Sequence, residues 1–225
     1  MNVQELKPLQ LQAYNYIKEK IVSGEYSFNR TYSETSIAQE IGISRTPVRD
    51  AVHILYQEGL IDIQPSRGFV LHRITERDVI ETYEVRSAIE SYCAQKLAQE
   101  TDTAVRAEAV AALEGSLARQ RAIYENGADP AAFSEEDRNF HLQLVGSSRN
   151  DAFIEVFTKY MYWIKILASY SLSVAGRMGR TIEEHSRIFE AIRTNDGAGA
   201  YNACIAHIKA PLDLNLDSIY KQITK

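Results

Sequence analysis

From Glu76 to the end of the chain, apolar residues recur at helical spacing and no segment alternates as a strand would. The pattern predicts helices at 77–99, 103–125, 130–146, 151–172, 179–194 and 198–220, separated by turn and capping residues. Helices with such short connections must bury their apolar faces against one another. We therefore expect an antiparallel six-helix bundle over residues 76–225.

Residues 1–75 show a different order of elements. An amphipathic helix ends at Ser23-Gly24, a short helix ends at the turn around Gly42, and a third runs from Ser44 to about Glu58. Two short strands, Leu60–Gln64 and Gly68–His72, follow. The order helix, helix, turn, helix, hairpin predicts a winged helix-turn-helix domain with a small β-hairpin wing, so the fold class is mainly α.

Composition limits the other possibilities. A chain of 225 residues that is 45% hydrophobic can form two modest cores. No apolar run approaches the roughly 18 residues of a membrane span, and no signal peptide is recognised, so we expect a cytoplasmic protein. The two cysteines, Cys93 and Cys204, lie far apart within helical patterns and predict buried, inert thiols.

The charge distribution is compatible with nucleic acid. The net charge is −5, but residues 1–75 carry eight Lys/Arg and eight Asp/Glu, so the deficit lies in residues 76–225. Residues 41–49 and 63–75 each contain two arginines and no acid. Two local positive patches on a neutral domain suit contact with phosphate.

A polar face on the third helix points to the same ligand. On a helical wheel Arg45, Thr46, Arg49 and His53 lie opposite the apolar set Val48, Ala51, Val52 and Leu55. Arginines and hydroxyls at the start of a helix after a tight turn suit entry into the major groove. The alternative is a surface arginine pair on an ordinary capped helix.

The motif around this helix extends the case. Ser33-Glu34, Ile37-Ala38 and the run Ile41-Gly-Ile-Ser-Arg-Thr-Pro-Val-Arg-Asp-Ala51 resemble the signature of the GntR family of bacterial regulators. The resemblance continues through Glu58-Gly59-Leu60 and the Pro65–Gly68 wing. It implies that DNA is contacted by Ser44, Arg45, Thr46 and Arg49, and in the minor groove by Arg67 and Gly68. The sequence departs at Thr35, where members often carry a DNA-contacting arginine.

Histidines mark the second domain. Asp137 and His141 are four residues apart and share a helix face with apolar residues, and His185 lies on another apolar stripe. Burying such groups without partners costs about 2 kcal/mol or more. If they converged with His207 they would form a transition-metal site with open positions. Otherwise each histidine forms hydrogen bonds within the core.

The second domain resembles the FCD effector domain of the FadR branch of GntR regulators, in the layout of the vanillate-regulator subgroup. The matching segments are Tyr83-Glu-Val-Arg86, Asp137-x-x-Phe-His141, Glu184-His185 with Ile188-x-x-Ala191-Ile192, and His207. The resemblance implies that Asp137, His141, His185 and His207 bind a divalent transition metal such as zinc or nickel. Pro211 removes the backbone hydrogen bond to the His207 carbonyl and predicts a kink.

Arg86 suggests the effector. It lies at the centre of an apolar stripe, where its guanidinium either pairs with Glu90 or binds a carboxylate. A metal beside an arginine would suit a small organic or sugar acid. Some of the aromatic residues of 151–172 would then line the pocket.

These features together predict an effector-controlled transcription regulator, a repressor or an activator, that binds a pseudo-palindromic operator as a homodimer. One alternative is a metal-dependent enzyme built on the bundle with an added DNA-binding module. The sequence has no distinct Glu-His or Ser-His arrangement for a general base or nucleophile, so we do not expect an enzyme. A regulator with a metal-free pocket is the third reading.

Overall fold

The computed structural model describes residues 6–28 and 30–223, and the chain forms two compact units, Met1–Ile74 and Thr75–Lys225. The first unit contains three helices and one hairpin within the described residues, and the second contains six helices. The elements are α1 Pro8–Val22, α2 Glu34–Glu40, α3 Arg45–Gln57, β1 Ile61–Gln64, β2 Gly68–Leu71, α4 Glu76–Ala98, α5 Thr103–Glu125, α6 Pro130–Gly146, α7 Asp151–Leu172, α8 Arg177–Arg193 and α9 Gly197–Ile223.

The first unit is a winged helix-turn-helix. Helix α3 packs against both α1 and α2, and the two strands pair antiparallel with Ile61 opposite Leu71 and Gln64 opposite Gly68. Tyr32 extends the hairpin through an antiparallel bridge to Phe69. The buried side chains that join these elements are Ala13, Ile17, Ile37, Val48, Ala51, Val52, Leu55, Leu60, Ile61, Phe69 and Leu71. The predicted fold of this domain, including the β-hairpin wing, is confirmed.

The second unit is the predicted helical bundle. Helix α4 packs against α6, α7, α8 and α9, whereas α5 packs against α6 and α8. The central helix α4 is therefore the common partner of the helices that carry the candidate site residues. Within residues 6–28 and 30–223, no helix is long and apolar enough to cross a membrane.

Side chains of capping residues begin several helices of the bundle. Asp102, Asp129 and Asn150 each accept hydrogen bonds from the first backbone N–H groups of α5, α6 and α7. Helix α8 begins at Arg177, two residues before the position that the sequence predicts. Gly176 adopts the left-handed conformation (φ 74°) that ends the preceding turn, so Gly179 lies within the helix.

Helix α9 continues through Pro211 from Gly197 to Ile223. Four residues later, the buried Asn215 donates from Nδ2 to the Pro211 carbonyl (2.8 Å), the Leu167 carbonyl (3.2 Å) and the Tyr83 hydroxyl (2.9 Å). These contacts tie the segment around the proline to α4 and α7. The helix is therefore held in place on the side that carries His207.

Candidate DNA interface and metal centre

Helix α3 exposes the polar face predicted from the wheel. Arg45, Thr46 and Arg49 are exposed because the opposite side of the helix is buried in the core. Ser44 occupies the N-cap position with an extended backbone, but its exposed side chain makes no capping hydrogen bond. Its hydroxyl is therefore available to a ligand.

The wing presents Arg67 at its tip. The turn between the strands is closed by a hydrogen bond from the Arg67 N–H to the Gln64 carbonyl (3.0 Å), and Ser66 has a positive φ of 63°. Gly68 follows with φ 117°, and a Cβ at this position would lie 2.0 Å from the carbonyl oxygen of Tyr32. Only glycine therefore fits where the wing meets the bridge to Tyr32.

A groove of about 200 Å³ separates the start of α3 from the wing. Its walls bring together Arg45, Arg67 and Gly68 with Thr35, whereas Ser44, Thr46 and Arg49 lie outside it. Glu34 also lines the groove, and the Arg45 Nε donates to its Oε2 (2.8 Å). We did not predict a role for Glu34, because its contact with Arg45 spans the turn between two helices.

In the second unit, three histidines converge from three helices. His141 on α6, His185 on α8 and His207 on α9 are all buried, with one ligand atom of each within 4.8 Å of the others. The Nε2 of His207 lies 3.3 Å from the Nε2 of His185 and 3.3 Å from that of His141. Three nitrogen donors at this separation form a set that could hold a metal ion.

Asp137 lies beside this cluster. Its Oδ1 is 3.9 Å from the His141 Nε2 and 3.7 Å from the His185 Nε2. The structure thus brings together all four residues that the sequence predicted as ligands. Whether they act as ligands remains a proposal.

The opposite ring nitrogens face other polar groups. The Nδ1 atoms of His141, His185 and His207 lie 2.5 Å from Glu90 Oε2, 2.9 Å from Gln120 Oε1 and 2.8 Å from Glu184 Oε2. Gln120 lies on α5, a helix that carries none of the predicted ligands, so no signal in the sequence points to it. Glu184 was recognised only as part of a motif.

Arg86 joins α4 to the cluster. Its Nε donates to Glu90 Oε1 (2.7 Å), and its Nη2 lies 3.1 Å from the His141 Nε2. The contact with Glu90 is the first of the two interactions that the sequence left open. Although burial opposes both charges, the attraction between the two groups raises the pKa of Arg86 and lowers the pKa of Glu90.

Burial sets the charge of the other members. It lowers the pKa of His185 and of His207 well below the usual range, and neighbouring histidines lower it further. It raises the pKa of Asp137. The imidazoles of His185 and His207 are therefore neutral near pH 7, and a neutral imidazole has the lone pair that a metal requires.

A small cavity adjoins the cluster. It measures about 10 Å³, and its walls include Arg86, Asp137, Arg177 and His207. This volume is roughly that needed for one water molecule. Helix α7 contributes Ala168, Ser171 and Leu172 to the wall but none of its aromatic side chains. The expectation that some of those aromatics line an effector pocket stays a prediction.

Family comparisons match both units. The model described as "Bacterial regulatory proteins, gntR family" matches residues 9–71, and the model described as "FCD domain" matches residues 81–210. YdhC of Bacillus subtilis, described as an uncharacterized HTH-type transcriptional regulator, is 28% identical over 203 residues, which cover 89% of this chain and 88% of YdhC. The gluconate operon transcriptional repressor of Bacillus licheniformis is 26% identical over 188 residues, which cover 80% of this chain and 74% of the repressor. These families and relatives are transcription regulators and not enzymes.

A solved structure supports the fold. E. coli McbR/YncC superimposes with a TM-score of 0.67 over 96% of this chain and 99% of that chain. The two sequences are 20% identical. At this identity the similarity establishes the architecture of the chain and not its ligands.

Proposed function

The chain belongs to the GntR family of bacterial transcription regulators and carries an FCD domain. We propose that it is a cytoplasmic repressor controlled by a small carboxylate-bearing metabolite. The winged helix-turn-helix binds operator DNA, and the helical domain binds the effector beside a divalent transition metal such as zinc or nickel. The observation that carries the effector half is the convergence of three histidine Nε2 atoms on one point of the bundle.

The proposed DNA contacts follow from exposure and chemistry. Arg45 and Arg49 present guanidinium groups that match the two acceptors of guanine, while Ser44 and Thr46 suit phosphate oxygens. Glu34 holds the Nε of Arg45 and leaves its terminal nitrogens for a base edge. Arg67 and Gly68 at the wing reach the minor groove.

Operator-binding measurements test the proposed DNA contacts. We expect Arg49→Ala to weaken binding by roughly 1–3 kcal/mol if Arg49 contacts guanine. The matched control is Arg187→Ala, which removes the same charge from an exposed position on α8. Both variants are titrated against operator DNA at one fixed salt concentration, because phosphate contacts make affinity salt-dependent. Equal affinities for the two variants would contradict the assignment of the recognition helix.

The donor set suits a first-row transition metal. Neutral imidazoles and one carboxylate are the ligands that zinc and nickel accept, and such a set leaves coordination positions open. The cation would supply a Lewis-acidic point to which an effector carboxylate can bind. Asp137, whose pKa is raised by burial, would bind the cation through its carboxylate form.

Arg86 is the proposed second anchor for the effector. A cation at the histidines would compete for the His141 lone pair that now faces the Arg86 Nη2 at 3.1 Å. The N–H groups of Arg86 that do not reach Glu90 would then favour a carboxylate. An organic or sugar acid exceeds the present cavity of about 10 Å³, so α7, α8 and α9 would have to move apart to admit it. Such a movement would give the effector a differential affinity for two conformations.

Measurement of metal content tests the proposed metal centre separately from DNA binding. We expect His185→Ala to contain less metal than the parent by elemental analysis after the same purification. His53→Ala is the matched control, because His53 is exposed on α3 and distant from the cluster in sequence. Equal metal in all three proteins would remove His185 from the site. A parent free of metal, with an intact effector response, would favour the metal-free regulator.

We also propose that the regulator is a homodimer. A protein with two-fold symmetry matches a pseudo-palindromic operator, and each winged domain then binds one half-site. Light scattering should give the mass of two 25.4 kDa chains. A monomeric mass at working concentrations would contradict the proposed operator symmetry.

A further inference from the structure

The three histidine rings are held from outside by three different helices. Glu90 comes from α4, Gln120 from α5 and Glu184 from α8, and each places an oxygen within 3 Å of the Nδ1 atom of one ring. Glu90 and Gln120 are completely buried. This second layer of residues is distinct from the four predicted ligands.

Both carboxylates in this layer have an arginine behind them. Glu90 accepts from Arg86, while Glu184 accepts from Arg177 Nη1 (2.9 Å) and Nη2 (2.8 Å). The Arg177 side chain is itself 2% exposed. Each carboxylate is therefore fixed in position by an ion pair; Glu90 presents its second oxygen to His141, and Glu184 Oε2 is shared between Arg177 and His207.

The Gln120 side chain is oriented by a hydrogen bond to the backbone and not by an ion pair. Its Nε2 donates to the backbone carbonyl of Glu136 (3.4 Å), so its Oε1 faces the His185 Nδ1. An amide oxygen, like a carboxylate, only accepts hydrogen bonds. The contacts of Gln120 and Glu184 therefore place the ring hydrogen of His185 and of His207 on Nδ1, while Glu90 Oε2 lies 2.5 Å from the Nδ1 of His141.

This arrangement determines what lies at the centre. A neutral imidazole has one N–H, so a ring that donates from Nδ1 carries its lone pair on Nε2. The Nε2 of His207 lies 3.3 Å from the Nε2 of His185 and 3.3 Å from that of His141, so lone pairs on these atoms would point toward one another. Within the described residues, the Nη2 of Arg86 is the donor placed beside them. A cluster of acceptors of this kind is suited to a cation.

We propose that Glu90, Gln120 and Glu184 are positioning residues that hold the three rings in the Nδ1–H tautomer and so set the affinity of the site for a divalent transition metal. The inference rests on the proposed metal centre and assigns that property to residues outside the ligand set. Because the rings are fixed before the metal arrives, binding requires no change of tautomer. Outer partners of metal-binding histidines typically change metal affinity about 10–100-fold.

The decisive variant is Gln120→Met, which keeps the length of the side chain and removes the acceptor. We expect Co²⁺ affinity, measured by competition with a chromophoric chelator, to fall about 10–100-fold. The visible spectrum of bound Co²⁺ should keep its shape because the ligands are unchanged. The matched control is Ser116→Ala on the same helix, since the Ser116 hydroxyl bonds Glu136 and no histidine.

A second readout needs no metal. Nitrogen-15 spectra of the metal-free chain should show His185 with its proton on Nδ1, and a mixture of tautomers in Gln120→Met. If that variant does not fold, Glu184→Gln offers an independent test. It exchanges the carboxylate facing His207 for an amide, and we expect several-fold weaker Co²⁺ binding.

The possible results separate the two ideas. A wild-type chain that binds Co²⁺, with Gln120→Met binding it equally well and showing the same tautomer, would overturn the positioning role and leave the metal centre. A wild-type chain that takes up no Co²⁺ would overturn the metal centre itself. Loss of affinity in Gln120→Met, with Ser116→Ala unchanged, supports the inference.

Discussion

Gly68 offers the most direct test of how the wing is built. Its backbone has φ 117°, and an added Cβ would lie 2.0 Å from the Tyr32 carbonyl oxygen. This separation is far shorter than the contact distance of two non-bonded atoms. Both atoms in this collision are close to the backbone, so neither can rotate away. Gly68→Ala must therefore displace the segment around Tyr32 from the hairpin.

The magnitude follows from what is lost. The bridge between Tyr32 and Phe69 consists of two backbone hydrogen bonds, of 2.8 Å and 3.0 Å. Each contributes about 1 kcal/mol net. Holding a non-glycine residue at such a φ costs about 1–3 kcal/mol more. We expect Gly68→Ala to destabilise the wing by about 3–5 kcal/mol.

Gly42→Ala is the matched control, because Gly42 also has a positive φ (70°) but no atom lies within 4 Å of its added Cβ. It should cost only the backbone term, about 1–2 kcal/mol. Hydrogen exchange measured on the Tyr32 and Phe69 amides reports local opening without requiring the two units to unfold together. Exchange about 100-fold faster in Gly68→Ala corresponds to roughly 3 kcal/mol. Equal exchange in both variants would refute the argument from the close approach.

Three further predictions concern the helical domain. Arg86→Ala should abolish the effector response in operator-binding assays and spare DNA binding itself; a retained response would leave Arg86 as the partner of Glu90 alone. Asn215→Leu should lower the urea-measured free energy of unfolding by about 1–3 kcal/mol, because it removes a buried donor from the Tyr83 hydroxyl and two carbonyls. Cys93 and Cys204 should resist thiol reagents at pH 8 until the chain unfolds, since both are buried and burial raises the pKa of Cys93 to about 11.

Local sequence signals predicted most of the fold because they depend on neighbouring residues. The starts of α5, α6 and α7 follow from Asp102, Asp129 and Asn150, each of which caps its own helix. The start of α8 was misplaced because Gly176 and Gly179 are equally able to form a turn. The tertiary structure selects Gly176, while Gly179 lies against the Tyr124 ring, where an added Cβ would be 3.2 Å from the hydroxyl.

The residues of the candidate site also fall into two groups, those that the sequence predicts and those that it does not. Asp137 and His141 were identified because they share a helix face, and the other two histidines because they match a family motif. Gln120 and Arg177 were not identified. The contact between Gln120 and His185 depends on how two helices pack. The bidentate pair of Arg177 and Glu184 spans seven residues of one helix. Neither contact leaves a periodic pattern in the sequence. Outer partners are in general harder to predict than ligands, because many polar residues can fill that position.

The composition of the bundle centre argues that it was retained for function. Two buried Arg–Glu pairs, Arg86 with Glu90 and Arg177 with Glu184, lie where apolar side chains of similar volume would be equally stabilising or more so. The same region buries three histidines, and burial lowers the pKa of two of them, His185 and His207, well below the usual range. Stability alone does not favour this combination, since each member loses hydration on folding. A cation at the centre would bind the Nε2 atoms of the three histidines, and an anionic effector binding to that cation would alter the forces on α4, α6, α8 and α9 together. A regulator needs such a coupling between ligand and helix positions.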